Sequence, residues 1–535
     1  MKNSLVLVTT LCFVSVVFAQ EEIDDPAQIV IGERLFLETR FAQAYFASPG
    51  KADPVMEKTM TTDGSLKGPF TGKSMNCRAC HMVDEFADQA TAGMRTYADY
   101  ARQSPIPDRG DGLAKAGRNS MSLVNISIPA DEHVVFHFDG EFNSMADLVF
   151  ATLTGRNYGW LPHETQKAIK HIAQVIRSDD GQGELAQEFG GSYKTILTGS
   201  DKSIKPDFRL PVEYRVDVKQ ASDRQLVDAV SKLIAVYVTD LGFARDDQGR
   251  YVGSPYDVFL IKNKLPRKPA VDESPEAYGQ RLLGLVNKLE APRYVNAQDG
   301  KFETHNQPFV FAEKELQGMK LFFSRGSSKQ HGGNCVSCHS APHFSDYGFH
   351  NTGLTQQNYD NTHGAEAFSK LDIPGLQKRT QRHDAYLPAT DKHPQASSRF
   401  RSKVSRQRSG HVDLGLWNIF ANPDMPAPQQ KLQSMLCEQV NKSFRGSCTT
   451  DNLLTAAIAS FKTPVLRDLG HSAPYMHTGQ FDKLSQAVSL YITSAAMSRE
   501  GRLRNGDPQL GGVNITTGHI EPLVAFLKSL NEDYD

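Results

Sequence analysis

The sequence predicts a mainly α-helical protein built from two related halves, with extra helices and loops. Three observations carry that prediction. Long stretches repeat apolar residues at helical spacing, as in "RQLVDAVSKLIAVYVTDLGF" and in "HIEPLVAFLKSL", where Ile520, Leu523, Val524 and Leu527 share one face. Alternating strand patterns are few. Two distant regions also carry the same features in the same order, which points to an old duplication.

The N-terminus reads as a secretory signal peptide over residues 1–19: Lys2, an apolar run from Leu5 to Ala19, and small-residue cleavage before Gln20. That run is shorter than the roughly 20 residues a membrane span needs, and no other stretch is long and apolar enough. No membrane span is therefore expected in the mature chain. A net charge of −2 gives no strong nucleic-acid or membrane signal.

The first half opens on "IGERLFLE" (Gly32, Arg34, Leu35, Phe36), continues to "NCRACHM", and then reaches "FDGEFNSMADLVFAT". The second opens on "QGMKLFFS" (Gly318, Lys320, Leu321, Phe322), continues to "GNCVSCHS", and reaches "HTGQFDKLSQAVSLY". Gly140 pairs with Gly479, Phe142 with Phe481, Met145 with Leu484 and Val149 with Val488. Pro- and Gly-containing segments near 253–275 and 291–308 read as a linker, which divides the mature chain at 20–300 and 301–535.

Cys-x-x-Cys-His is the attachment pattern of a c-type haem. Cys77 and Cys80 are expected to bond one porphyrin and His81 its iron; Cys335, Cys338 and His339 repeat the set. Zinc half-sites or redox dithiols are the competing uses of Cys-x-x-Cys. The histidine directly after both pairs, behind a signal peptide, favours two covalent haems. Of the seven cysteines, Cys12 leaves with the signal and Cys437 and Cys448 remain. An exported location lets them pair, with two free thiols as the alternative.

With the two motifs, "FSDYGFHNTGL" (344–354) and "FKTPVLRDLGHSAPYMHTGQF" (461–481), the chain resembles the bacterial di-haem cytochrome c peroxidase superfamily, in particular its MauG-like branch. The resemblance implies two packed cytochrome c-like domains in the periplasm. It also implies reaction with hydrogen peroxide at the N-terminal haem and electron transfer through the C-terminal one. The electron source would be a small redox protein (a cytochrome c or copper protein) or a protein substrate undergoing oxidation. A di-haem electron carrier without peroxidase activity is the non-enzymatic alternative.

The resemblance also assigns sixth ligands. Seventeen residues beyond Pro474 stands Tyr491, the family position filled by methionine in peroxidases and tyrosine in MauG-like members. Tyr491 is expected on the second iron, with Met497 as the reserve. A phenolate there stabilises the oxidised iron and lowers its potential. The matching residue of the first half is Thr152, a poor ligand. The loop histidine that caps the first iron in many relatives would fall near Tyr97, yet no histidine occurs between His81 and His133, and Met94 is expected to pack. The first iron is thus expected to be open.

The chain departs from the family at two places. Phe138 stands where a tryptophan usually lies between the haems, and Trp160 is the nearby alternative. Tyr158 stands where a glutamate usually assists peroxide cleavage. An acid–base group is still required, and Glu141 ranks ahead of His163 and Glu164. A calcium ion between the domains, common in the family, would be held by Asn119 and by main-chain oxygens of Ser472 and Pro474; oxygen donors suit it. Basic residues crowd 378–408, where haem propionates, an acidic redox partner or plain solvent are the expected neighbours.

Overall fold

The computed structural model describes residues 25–47, 49, 76–77, 80–81, 106–113, 116–126, 134–303, 305–442 and 447–533. The signal peptide and the segment with Met94 and Tyr97 lie outside the described residues. The fold is mainly α. Among the described residues the strands are Phe349–His350 and Phe461–Lys462, paired antiparallel.

Each half is organised by two crossed helices. In the first, Ala27–Leu37 packs on Asp223–Asp240, a helix started by a reciprocal cap between Ser222 and Gln225. In the second, Glu313–Phe323 packs on Ile520–Lys528. A glycine sits at each crossing. A Cβ on Gly32 would strike the Leu233 carbonyl and Tyr237, and one on Gly318 the Pro522 carbonyl and Phe526. The Gly-x-basic-Leu-Phe repeat is thus a close-approach motif, with Leu35, Phe36 and Phe322 buried beside it.

Among the described residues three large hydrophobic cores result, with a small fourth of Val124, Phe243 and Tyr251. One runs from Ile29 to Val238 and one from Tyr256 to Leu530. The third spans Phe349 to Ala459, gathers around Phe400 and Trp417, and takes in Val135 from the first half. The helices Pro255–Lys262 and Pro275–Asn287 bury Tyr256, Phe259, Tyr278 and Leu282 in the second core. The segment 253–275, read as linker, therefore includes packed helix. Pro255 and Pro275 stand in first helical turns, where a missing N–H costs nothing.

The basic stretch 378–408 belongs to the third core. Arg379 is fully buried and donates to the carbonyls of Trp417, Phe420 (2.8 Å) and Ala421 (2.9 Å). Arg399 Nε donates to Gly410 O at 2.9 Å. These side chains tie loops together, an outcome the bare charge run did not suggest. Cys437 and Cys448 form a disulfide, with Cα atoms 5.1 Å apart.

Candidate functional site

The two Cys-x-x-Cys-His segments fold into the same turn. Cys80 N donates to Cys77 O at 3.1 Å and His81 N to the same oxygen at 2.9 Å; Cys338 N and His339 N reach Cys335 O at 3.2 and 2.8 Å. Each turn sets two cysteines and one histidine on the wall of a cavity. The first cavity measures about 740 Å³ and the second about 270 Å³. None of the four cysteines is in a disulfide.

His339 Nδ1 lies 3.0 Å from Phe344 O, a bond that orients the ring and leaves Nε2 for a metal. Burial pushes the His81 imidazole down to about 4 and lowers His339 as well, so both stay neutral, the form that ligates iron. Burial also pushes the Cys77 and Cys335 thiols up to about 12. Reactive dithiols need depressed values, so this argues against a redox role. Mostly apolar cavities walled by two thiols and a neutral imidazole fit covalent haem.

Each cavity is also lined by a matched turn and helix. Phe136 N donates to Phe142 O at 2.7 Å, and Tyr475 N to Phe481 O at 2.8 Å. Inside each turn a positive-φ pair recurs: His137 (66°) with Gly140 (71°), and Met476 (72°) with Gly479 (62°). The helices that follow are Met145–Thr154 and Leu484–Arg499. Thr152 lines the first cavity and Tyr491 the second. Burial raises the Tyr491 phenol, and Cys338 and Cys335 raise it further. Met497 is buried on the same helix but does not line the cavity.

Of the three acid–base candidates, only Glu141 lines the first cavity. Glu164 instead takes Arg109 at 2.9 Å and caps Leu161 N at 3.0 Å. Glu141 meets Arg401 at 2.5 Å and His137 Nδ1 at 3.0 Å. Burial alone would raise its carboxyl, but Arg401 and His137 outweigh burial and hold it well below the usual range. Arg401 also pairs with buried Asp139 at 2.9 Å, which Arg118 meets at 2.6 Å, and Arg118 reaches Asp413 at 2.6 Å. Glu141 is thus a fixed carboxylate in an ion network that joins the first half to the third core.

Tyr158 also lines this cavity, 2% exposed, with its hydroxyl 3.3 Å from Cys77 Sγ. Burial keeps it protonated, a hydrogen-bond donor. Trp160 is fully buried in the same wall, against Phe46 and His171. Sequence reasoning missed His137 and Arg401. The signal for His137 was its place four residues before Glu141 across the Asp-Gly turn. Arg401 carried none beyond its charge run.

Phe138 lines both cavities. Its ring lies 6.4 Å from His477, which stacks on Phe461 at 3.7 Å. Beside them Asn119 Nδ2 contacts Pro474 O at 2.6 Å, while Asn119 Oδ1 is buried without a partner. Turned over, the orphaned oxygen would face the carbonyl, an arrangement that suits a cation. Ser472 lines the same cavity as Asn119, its hydroxyl bonded to Asp468 O at 2.9 Å.

No protein-family model matches the chain. Its sequence is 20% identical over 284 residues to cytochrome-c peroxidase IdrP1 of Pseudomonas sp. (strain SCT), covering 53% of this chain and 55% of that one. It is 24% identical over 254 residues to cytochrome-c peroxidase IdrP2 of Denitromonas iodatirespirans, covering 47% and 49%. These matches support a relationship to the di-haem cytochrome c peroxidases. It spans about half the length of the curated relatives it matches. Among solved structures, the di-haem peroxidase BthA of Burkholderia thailandensis aligns at TM-score 0.43 and 16% identity, over 95% of this chain and 86% of that one. A MauG-like protein associated with microbial copper homeostasis aligns at TM-score 0.44 and 14% identity, over 95% and 90%. Among the described residues no helix is long and apolar enough to cross a membrane.

Proposed function

We propose that this chain is an exported, periplasmic di-haem oxidoreductase. It reacts with hydrogen peroxide at the haem of Cys77, Cys80 and His81, and passes electrons through the haem of Cys335, Cys338, His339 and Tyr491. The bound haems supply the redox chemistry. The observation that carries the reading is the matched pair of helices: Tyr491 lines the second cavity where Thr152 lines the first. Tyr491 would offer a phenol oxygen to an iron held in the second cavity, whereas Thr152 offers the first a poor donor. Around the open position Tyr158 donates a hydrogen bond, while His137, oriented by the ionised Glu141 carboxylate, is the group able to take a proton. Asn119, with carbonyls of Ser472 and Pro474, would hold calcium between the halves.

Peroxide added to the ferric protein tests this. A discrete Soret shift within the mixing time supports it. Slow bleaching alone would identify an electron carrier. Tyr491 and the absence of a histidine near position 97 favour a protein substrate over a soluble electron donor. Rapid steady-state turnover with reduced cytochrome c would reverse that preference.

A further inference from the structure

The stretch 378–408 holds two histidines as well as its basic residues. His383 and His393 lie face to face, ring centroids 3.8 Å apart. Both turn an edge to one carboxylate oxygen. Asp424 Oδ2 is 2.7 Å from His393 Nδ1, 3.3 Å from His383 Nε2, and accepts the Thr390 hydroxyl at 2.6 Å. The side chains of His383 and Asp424 are 8% and 4% exposed. Neither ring nitrogen of His383 has a hydrogen bond. Buried polar groups are bonded as a rule, so this imidazole needs an explanation. Among the described residues the other His–His–Asp group differs there: His305 Nε2 reaches Asp468 at 2.8 Å and Glu532 O at 3.3 Å.

We propose that His383, His393 and Asp424 bind a divalent transition-metal ion of the imidazole-preferring class, with zinc as the type ion. Two imidazoles and a carboxylate are a regular donor set for it. Bonds of about 2.0–2.1 Å in a tetrahedron set ligand atoms roughly 3.3 Å apart. The separation of His383 Nε2 and Asp424 Oδ2 already has that value. His393 must open slightly from Asp424, and the rings must leave their stack. Binding takes His393 as its Nε2–H tautomer, so the Nδ1 proton moves to Nε2 in the neutral ring, or from an imidazolium to solvent, and His383 contributes a lone pair that no hydrogen bond now uses. The His393 side chain is 37% exposed, which gives the ion an entry path. Thr390 and Asp424 also line the first cavity. The ion would therefore pin the part of the third core that walls the first haem, independently of the haem chemistry.

The test uses haem-loaded protein stripped with a chelator and titrated with Zn²⁺ by calorimetry, with bound zinc counted by mass spectrometry after gel filtration. One zinc per chain is expected. His383→Ala and His393→Gln should each weaken binding by roughly 100-fold or more, since losing a ligand exceeds the 10–100-fold cost of losing a supporting partner. Unchanged Soret bands report that both variants fold, and His393→Gln alters a partly exposed position. A wild-type protein that takes up no zinc overturns the proposal. So does full zinc binding in either variant.

Discussion

The first and second haem cavities share a plan and differ in a few side chains. Both have a glycine at a helix crossing, the same Cys-x-x-Cys-His turn, and the same bridged turn leading into a helix. They part where the helix passes the cavity, at Thr152 and Tyr491. They part again inside the turn, where His137, Phe138, Asp139 and Glu141 match Met476, His477, Thr478 and Gln480. The first turn carries two carboxylates clamped by Arg401, and the second carries none. Under the proposed function the attachment motif is common to both halves, and the division of labour rests on residues outside it.

The largest way to break the comparison is to remove one attachment. Cys77→Ala with Cys80→Ala should lower the haem content from two to one per chain and abolish the fast reaction with peroxide. The same change at Cys335 and Cys338 should also leave one haem but keep a fast first reaction. Haem assay and stopped-flow absorbance read both. Next is Tyr491→Met, which should raise the second haem's potential by on the order of 0.2 V, within the ~0.8 V range that axial ligands span. Redox titration checks it, and the first haem should not move.

Arg401→Ala should destabilise the fold by about 3 kcal/mol, because it strips a partner from buried Asp139 and Glu141. The pH dependence has a definite sign. The Glu141 carboxyl is held below its ordinary 4.5, so its contribution is present above that pH and lost as pH falls through the folded value. Denaturant midpoints at pH 7 and pH 4 should diverge less in the variant than in wild type. Smaller still, Gly32→Ala and Gly318→Ala should each cost about 2 kcal/mol from overpacking. Similar losses in thermal melts would sharpen the equivalence of the two crossings; a silent one would break it.

Much of this was legible in the sequence. The motifs, the duplicated glycines and the disulfide pair each rest on local spacing, which a sequence displays directly. Tyr491 came from the family resemblance, and Thr152 followed because the two helices align residue for residue. The Glu141–Arg401 pair was not, since it joins residues 260 positions apart through a core built only in the folded chain. Arg379 misled for the same reason: a basic run reads as surface, and only the fold shows three carbonyls closing on its guanidinium. The helices at 255–287 were hidden by prolines that begin helices as readily as they end them.

The central claim is an asymmetry of the two irons, one open and one bound by Tyr491. Electron paramagnetic resonance of the ferric protein as isolated tests it most directly. The account predicts one high-spin haem and one low-spin haem in equal amounts, with Tyr491→Phe changing only the low-spin signal. Two low-spin haems in the wild-type protein would contradict it.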